Sequence, residues 1–369
     1  MPMLDTVIEA RWIIPVQPHG TILEDHVIGI KDGKIVSLMP ASKWSKVAYT
    51  THKHYRFKNH AVIPGLINAH AHSPMTLLRG IADDLELMTW LNDHIWPTEK
   101  RWLSERFVHD GTRLACAEML LSGTTCFNEH YFFGETTAKV AKKLGMRCTV
   151  GIWLGEHETA YAKDLNAYID KGLNWYKDYE HEPLINVSLA PHSPYTMQDP
   201  SLQRLTSLQR ELACPIHMHV HESKAEIEHS LATYQQRPLA RLLKHQLLSK
   251  DFMGVHLTQL EPEDFNIIKD SGMHAVHCPE SNAMLASGSS PIATLKDAGI
   301  NVALGTDGAA SNNDLNMFSE MQSAAQWGKQ QQQSPTAITA ADALRMATLN
   351  GAKAMGIDHQ VGSIEVGKE

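Results

Sequence analysis

Histidines and carboxylates that could bind a metal ion and move protons gather at a few points far apart along this chain. His70-Ala71-His72 follows an apolar run. In an extended strand residues i and i+2 face one side, so these two imidazoles can chelate a single ion. In Ile216-His217-Met218-His219-Val220-His221-Glu222 apolar residues alternate with imidazoles. His219 sits at the depth that reaches the ion, and His217, further in, reads as a hydrogen-bonded core histidine. Asp307, in Leu304-Gly305-Thr306-Asp307-Gly308, ends another apolar run flanked by glycines that permit a tight turn. Alone it reads as a turn; beside three histidines it reads as a fourth ligand.

Three imidazoles and one carboxylate suit one divalent ion, zinc first and Fe²⁺ as the alternative, with a water whose pKa falls toward about 7. Glu222, three residues past His219, could shuttle a proton in the same mouth. That reading is preferred to the alternative, a solvated acid beginning the helix expected over Ser223–Gln235, where acids are common. His256, in Val255-His256-Leu257, could polarise the attacking water or be a satisfied core histidine. Met75, Leu77, Leu78, Met88, Trp90, Leu91 and Trp96 could line an aromatic substrate pocket or pack beneath a loop.

Such points converge only if they are ends of neighbouring strands. From Ala61 onward short apolar runs alternate with helical stretches, and eight strand candidates emerge: Val62–Asn68, Thr124–Asn128, Arg147–Leu154, Ile185–Pro191, Pro215–Val220, Phe252–Leu257, His274–Cys278 and Asn301–Gly305. Eight βα units predict a (β/α)8 TIM-type barrel, whose chemistry sits at the C-terminal strand ends. His70, His72, His192, His219, His256, His277 and Asp307 all fall there. Helices are expected over Glu99–Ser122, closed by Gly123, and over Leu202–Leu212, Pro238–Leu248 and Asn316–Gln326, with the Gln330–Gln333 run connecting two helices. Ahead of the barrel, Val7–Ile14, His26–Lys31 and Lys34–Met39, the last after an Asp32-Gly33 turn, predict a small sheet. Val361–Glu369 reads as the opening of a further strand pair. The expected division is residues 1–63, the barrel 64–348, and 349–369, with the two flanking segments forming a small composite β-sandwich.

At 369 residues, 43% hydrophobic and 20% charged, the chain can bury a large core. Its formal charge of −8 and lack of a basic cluster argue against a nucleic-acid partner. No long apolar run or signal-peptide pattern points to a membrane, so a cytoplasmic location is expected. Five scattered cysteines contain no C-x-x-C pair, which disfavours a disulfide framework or a thiolate metal site.

The stretches Pro64–His72, Leu78-Arg79-Gly80, Ala190–Tyr195, His219–Glu222 and Leu304–Asp314 resemble the amidohydrolase superfamily, in particular the 5′-methylthioadenosine/S-adenosylhomocysteine deaminases of its chlorohydrolase-like branch. The resemblance implies that His70, His72, His219 and Asp307 are metal ligands, that Glu222 handles the substrate proton and that His256 supports the hydroxide. It further implies that Glu99 holds the ribose hydroxyls and that His192 contacts substrate. The implied partner is a small nucleoside, deaminated at adenine C6 with release of ammonia, and a homo-oligomer is left open. Gly151–Lys163 holds no arginine where relatives can bind the S-adenosylhomocysteine carboxylate, so methylthioadenosine is the expected substrate. The rivals are another heterocycle, guanine or a triazine, and a catalytically silent barrel. By the same resemblance further strands would follow Glu369, so 369 residues is expected to fall short of the natural length.

Overall fold

Strand β1 (Met3–Ile13) pairs antiparallel with β2 (Leu23–Lys31), which turns through Asp32 and Gly33 into β3 (Lys34–Pro40). Both turn residues have positive φ, 52° and 74°, as a two-residue type I′ hairpin requires. A fourth strand, β4 (Thr50–Val62), lies parallel to β1 and completes the order β3-β2-β1-β4. No strand is expected at β4, because Thr50–Val62 is polar and largely exposed on both faces, so no apolar alternation marks it. The computed structural model describes residues 3–44 and 49–369; residues 1, 2 and 45–48, within the expected N-terminal segment, lie outside the described residues.

Eight further strands form the barrel: β5 (Leu66–Ala71), β6 (Thr124–Glu129), β7 (Arg147–Leu154), β8 (Ile185–Pro191), β9 (Ile216–Val220), β10 (Phe252–His256), β11 (His274–His277) and β12 (Val302–Leu304). They are parallel and follow one another in chain order around the sheet. Nearly every residue in them is buried, because helices cover the outside and side chains fill the inside. The expected strands correspond to these eight with ends moved by a few residues; the first starts later, at Leu66, because Val62 belongs to β4.

The barrel closes at its mouth. The Asp307 N–H donates to the His70 carbonyl at 3.0 Å, and Ala71 bridges to Asp307. Gly305 allows this approach, since a Cβ there would stand 2.7 Å from the His70 nitrogen. The residue that takes the left-handed conformation in the motif is Asp307 itself, with φ 62°.

Three helix expectations need correction; in the mildest case the helix expected over Pro238–Leu248 ends at Lys244. The stretch Glu99–Ser122 is broken, into Trp96–Trp102 and Glu105–Leu121, because Ser104 starts a new helix by accepting the Phe107 N–H at 3.2 Å. The helix expected to end at Gln326 continues to Gln332, so the glutamine run is mostly its last turn and not a connection. Residues 361–369 form no regular strand. They still join the small sheet: Ile35 exchanges backbone hydrogen bonds with Gly367 and Lys368 at 2.8 and 2.7 Å, and Ile364 packs with Ala10, Ile13, Ile28 and Ile35. Among the described residues no helix is long and apolar enough to cross a membrane.

Candidate active site

The strand ends bring His70 and His72 (β5), His219 (β9) and Asp307 (just past β12) to one point. Their ligand atoms all lie within 4.8 Å of one another. His70 Nε2 is 3.1 Å from Asp307 Oδ1 and 3.3 Å from His219 Nε2; His72 Nε2 is 3.2 Å from the same oxygen and 3.3 Å from the same nitrogen. Ligands at 2.0–2.1 Å in a tetrahedron stand about 3.3 Å apart, so the spacing fits an ion the size of Zn²⁺. Each imidazole also has a partner for its other nitrogen. His72 Nδ1–H donates to the His130 carbonyl at 2.5 Å and His219 Nδ1–H to the His192 carbonyl at 2.8 Å. Asp307 Oδ2 accepts from Ser281 at 2.7 Å and Ser311 at 3.3 Å.

The electrostatics of the cluster favour a cation at its centre. Burial pushes the His70 imidazole down to about 4, against the pull of Asp307. Burial and the neighbouring imidazoles hold His219 well below its ordinary value. Asp307 stays ionised: burial opposes this, but hydrogen bonds and charge from His70 and His72 hold it well below the carboxylate range. His72 runs the other way, raised by Asp307 despite its burial. The two lowered imidazoles and the ionised carboxylate offer lone pairs to one point, and a divalent cation there, taking the place of the proton that Asp307 draws onto His72, satisfies all four.

Glu222 and His256 flank this cluster. Glu222 Oε1 is 3.8 Å from His256 Nε2, and His256 Nδ1–H donates to the Asn282 amide oxygen at 2.8 Å, which fixes the ring. The Glu222 N–H donates to Glu226 Oε2 at 2.7 Å and its carbonyl accepts from Thr258 at 2.7 Å, so both ends of the residue are tied down. Burial raises the Glu222 carboxyl above its ordinary value, with the facing His256 opposing.

Above the cluster opens a cavity of about 840 Å³. Glu99 reaches it from the helix Trp96–Trp102, and the Tyr131 hydroxyl donates to Glu99 Oε1 at 2.5 Å. Burial pushes the Glu99 carboxyl up to about 7, with the Tyr131 hydrogen bond opposing. His192 also lines the cavity, its imidazole pushed down to about 3 by burial and then by His72. Of the apolar residues singled out in the sequence, Met75, Trp90, Leu91 and Trp96 line the wall. Leu78 is buried in the core, and Leu77 and Met88 are exposed. His277 is buried at its strand end and does not line the cavity.

A sequence profile described as the amidohydrolase family matches residues 61–369. The chain belongs to the amidohydrolase family. Among amidohydrolase relatives, it is 48% identical over 366 residues to the 5-methylthioadenosine/S-adenosylhomocysteine deaminase of Teredinibacter turnerae, covering 99% of this chain and 83% of that protein. It is 41% identical over 312 residues to the 5'-deoxyadenosine deaminase of Methanothermobacter thermautotrophicus, covering 83% and 71% respectively. A solved adenosine deaminase from Xanthomonas campestris with bound zinc has a TM-score of 0.97 and 45% identity, over 100% of this chain and 83% of that one.

Within this amidohydrolase site the sequence reading missed Tyr131, Asn282, Ser281 and Glu226. Tyr131 lies two residues past the end of β6, a strand-end position that was a usable signal. Ser223 and Glu226 have capping-box spacing, but the Glu226 carboxylate reaches past the cap to the N–H groups of His221 and Glu222.

Proposed function

We propose that this protein is a metal-dependent aminohydrolase that deaminates adenosine-type nucleosides at adenine C6, converting 5′-methylthioadenosine to 5′-methylthioinosine and ammonia. S-adenosylhomocysteine, giving S-inosylhomocysteine, is the second substrate of this class. The observation that carries the reading is the joining of the His70, His72, His219 and Asp307 cluster to Glu222 and His256 at the floor of a cavity large enough to admit a nucleoside. The relatives named as deaminases of such nucleosides support it.

The four clustered residues would hold one zinc ion, Fe²⁺ being the alternative. Such an ion lowers the pKa of water and so supplies a nucleophile at neutral pH. Glu222, its carboxyl raised above the ordinary value by burial, gives a proton to the ring nitrogen beside C6 as water adds there. Asp307, held ionised, accepts the proton of the attacking water and returns it to the leaving nitrogen. His256, its plane set by Asn282, hydrogen-bonds the oxygen that forms at C6. One water is consumed and one ammonia leaves, and the second proton of the water, lost from the C6 oxygen as the carbonyl forms, restores Glu222. Glu99, oriented by Tyr131, takes the ribose hydroxyls, and His192 contacts the nucleoside beside it.

Leu87, Trp90, Leu91, Phe132 and Trp153 make the cavity walls apolar, and Lys100 is the only lysine or arginine lining it among the described residues. That wall suits a methylthio group better than a carboxylate-bearing side chain, which would be desolvated without a strong partner. The five cysteines are free and buried, which fits a reducing compartment and a cytoplasmic enzyme. We also propose that the chain divides as residues 1–63, 64–348 and 349–369, a division supported by the separate sheet of β1 to β4 and by the packing of Ile364 against it.

The test is to incubate zinc-loaded protein with methylthioadenosine, S-adenosylhomocysteine, guanine and a chlorotriazine, following ultraviolet absorbance and ammonia. Methylthioadenosine should have the highest kcat/KM. Turnover of guanine or the triazine with none of the nucleosides would overturn the reading.

A further inference from the structure

One histidine of strand β9 is left over by this account. His217 is fully buried, lies outside the ligand cluster and does not line the cavity. Its Nε2 stands 2.8 Å from His70 Nδ1. We propose that His217 is a positioning residue of the metal centre, accepting a hydrogen bond from His70 Nδ1–H and so fixing the tautomer and the plane of that ligand. The proposal rests on His70, His72, His219 and Asp307 being the ligands.

The tautomer follows from the geometry. His70 presents Nε2 to the cluster, 3.1 Å from Asp307 Oδ1 and 3.3 Å from His219 Nε2. To ligate there, Nε2 must keep its lone pair, so the single proton of the neutral ring sits on Nδ1 and needs an acceptor. His217 Nε2 is that acceptor. The strand period explains the pairing: two residues apart on β9, His217 and His219 share a face. His219 would hold the ion, and His217, one step deeper, meets the ring that would hold it from β5.

Two contrasts separate this role from simple packing. His72 and His219 hand their Nδ1 protons to main-chain carbonyls, at His130 and His192, so their second partners survive any substitution. His70 alone among the three depends on a side chain. In addition, His217 Nδ1 is buried with no hydrogen-bond partner. A residue kept only to fill space would be better replaced by an apolar one of similar size, since an unpaired buried polar nitrogen is costly. The orphaned Nδ1 is tolerated because Nε2 is needed where it is.

The test compares zinc dissociation constants, by competition with a chelator, for the wild type, His217→Gln and His217→Leu. Glutamine keeps an acceptor oxygen and leucine does not. The leucine variant should bind zinc roughly 10–100-fold more weakly, with glutamine recovering most of the loss. Equal affinity in all three proteins, or an equal loss in both variants, overturns the proposal. Should the leucine variant fail to fold, the ring-nitrogen shifts of histidine-labelled, zinc-loaded wild type decide: Nδ1 protonated and Nε2 bare supports the assignment, and the reverse tautomer refutes it. A wild type that binds no zinc sinks the metal-site reading as well, whereas a wild type that binds zinc no better than the leucine variant sinks this proposal alone.

Discussion

Replacing Tyr131 with phenylalanine removes one oxygen and leaves the buried ring, so it isolates the hydrogen bond to Glu99. That bond, 2.5 Å long, stabilises the ionised carboxylate in a site where burial has already raised it to about 7. A hydrogen bond to a charged group contributes about 1.5–3 kcal/mol, and at 1.36 kcal/mol per pH unit its loss moves the Glu99 pKa up by roughly one to two units. In the proposed role the Glu99 carboxylate accepts the ribose hydroxyls, so binding is present above the pKa and lost as pH falls through it. In the wild type kcat/KM should therefore decline below about pH 7. In the variant the same limb should sit one to two units higher, and at pH 7.5 the ionised fraction, hence kcat/KM, should drop by roughly 3- to 25-fold. The change should fall mainly on KM. Measuring pH profiles for methylthioadenosine and for an analogue lacking both ribose hydroxyls provides the control, since the analogue never uses Glu99. An equal loss on both substrates, or an acid limb that does not move, would refute the reasoning.

Glu222→Gln keeps shape and removes the proton, so kcat should fall by roughly 10²- to 10⁴-fold while zinc content by elemental analysis stays unchanged. Stripping the metal with a chelator should abolish turnover and lower the thermal midpoint, because an ion that binds only the folded state stabilises it by mass action; both should return when zinc is added back. Gly305→Ala would drive a Cβ to 2.7 Å from the backbone nitrogen of His70, which cannot swing aside. A cost of about 1–3 kcal/mol in urea unfolding is expected, with weaker zinc binding because β12 carries Asp307 toward β5.

The barrel was legible because its strands are short and buried on both faces, so each stands out as an apolar run between helical stretches. β4 was not, since a strand held mainly by backbone pairing to β1 carries no burial pattern. The break at Ser104 was written in the chain as an N-cap, but the helical pattern on either side concealed it. In the site, His70, His72 and His219 were legible because two-residue spacing at a strand end makes an argument by itself. Glu99 was another matter: its type and position also suit the first turn of a helix, and resemblance alone gave it a role. Asn282 and Ser281 act by holding His256 and Asp307, and such ordinary side chains declare themselves only when folding brings residues 26 apart within 2.7–2.8 Å.

The central claim is hydrolytic, metal-dependent deamination at C6, and its most direct test is product analysis in heavy-oxygen water. Metal-free and zinc-reconstituted protein are each given methylthioadenosine, and the products are identified by mass spectrometry beside an ammonia assay. The zinc form should yield methylthioinosine carrying one solvent oxygen, with one equivalent of ammonia, and the metal-free form should yield neither. Release of free adenine, or the same product from metal-free protein, would contradict the account.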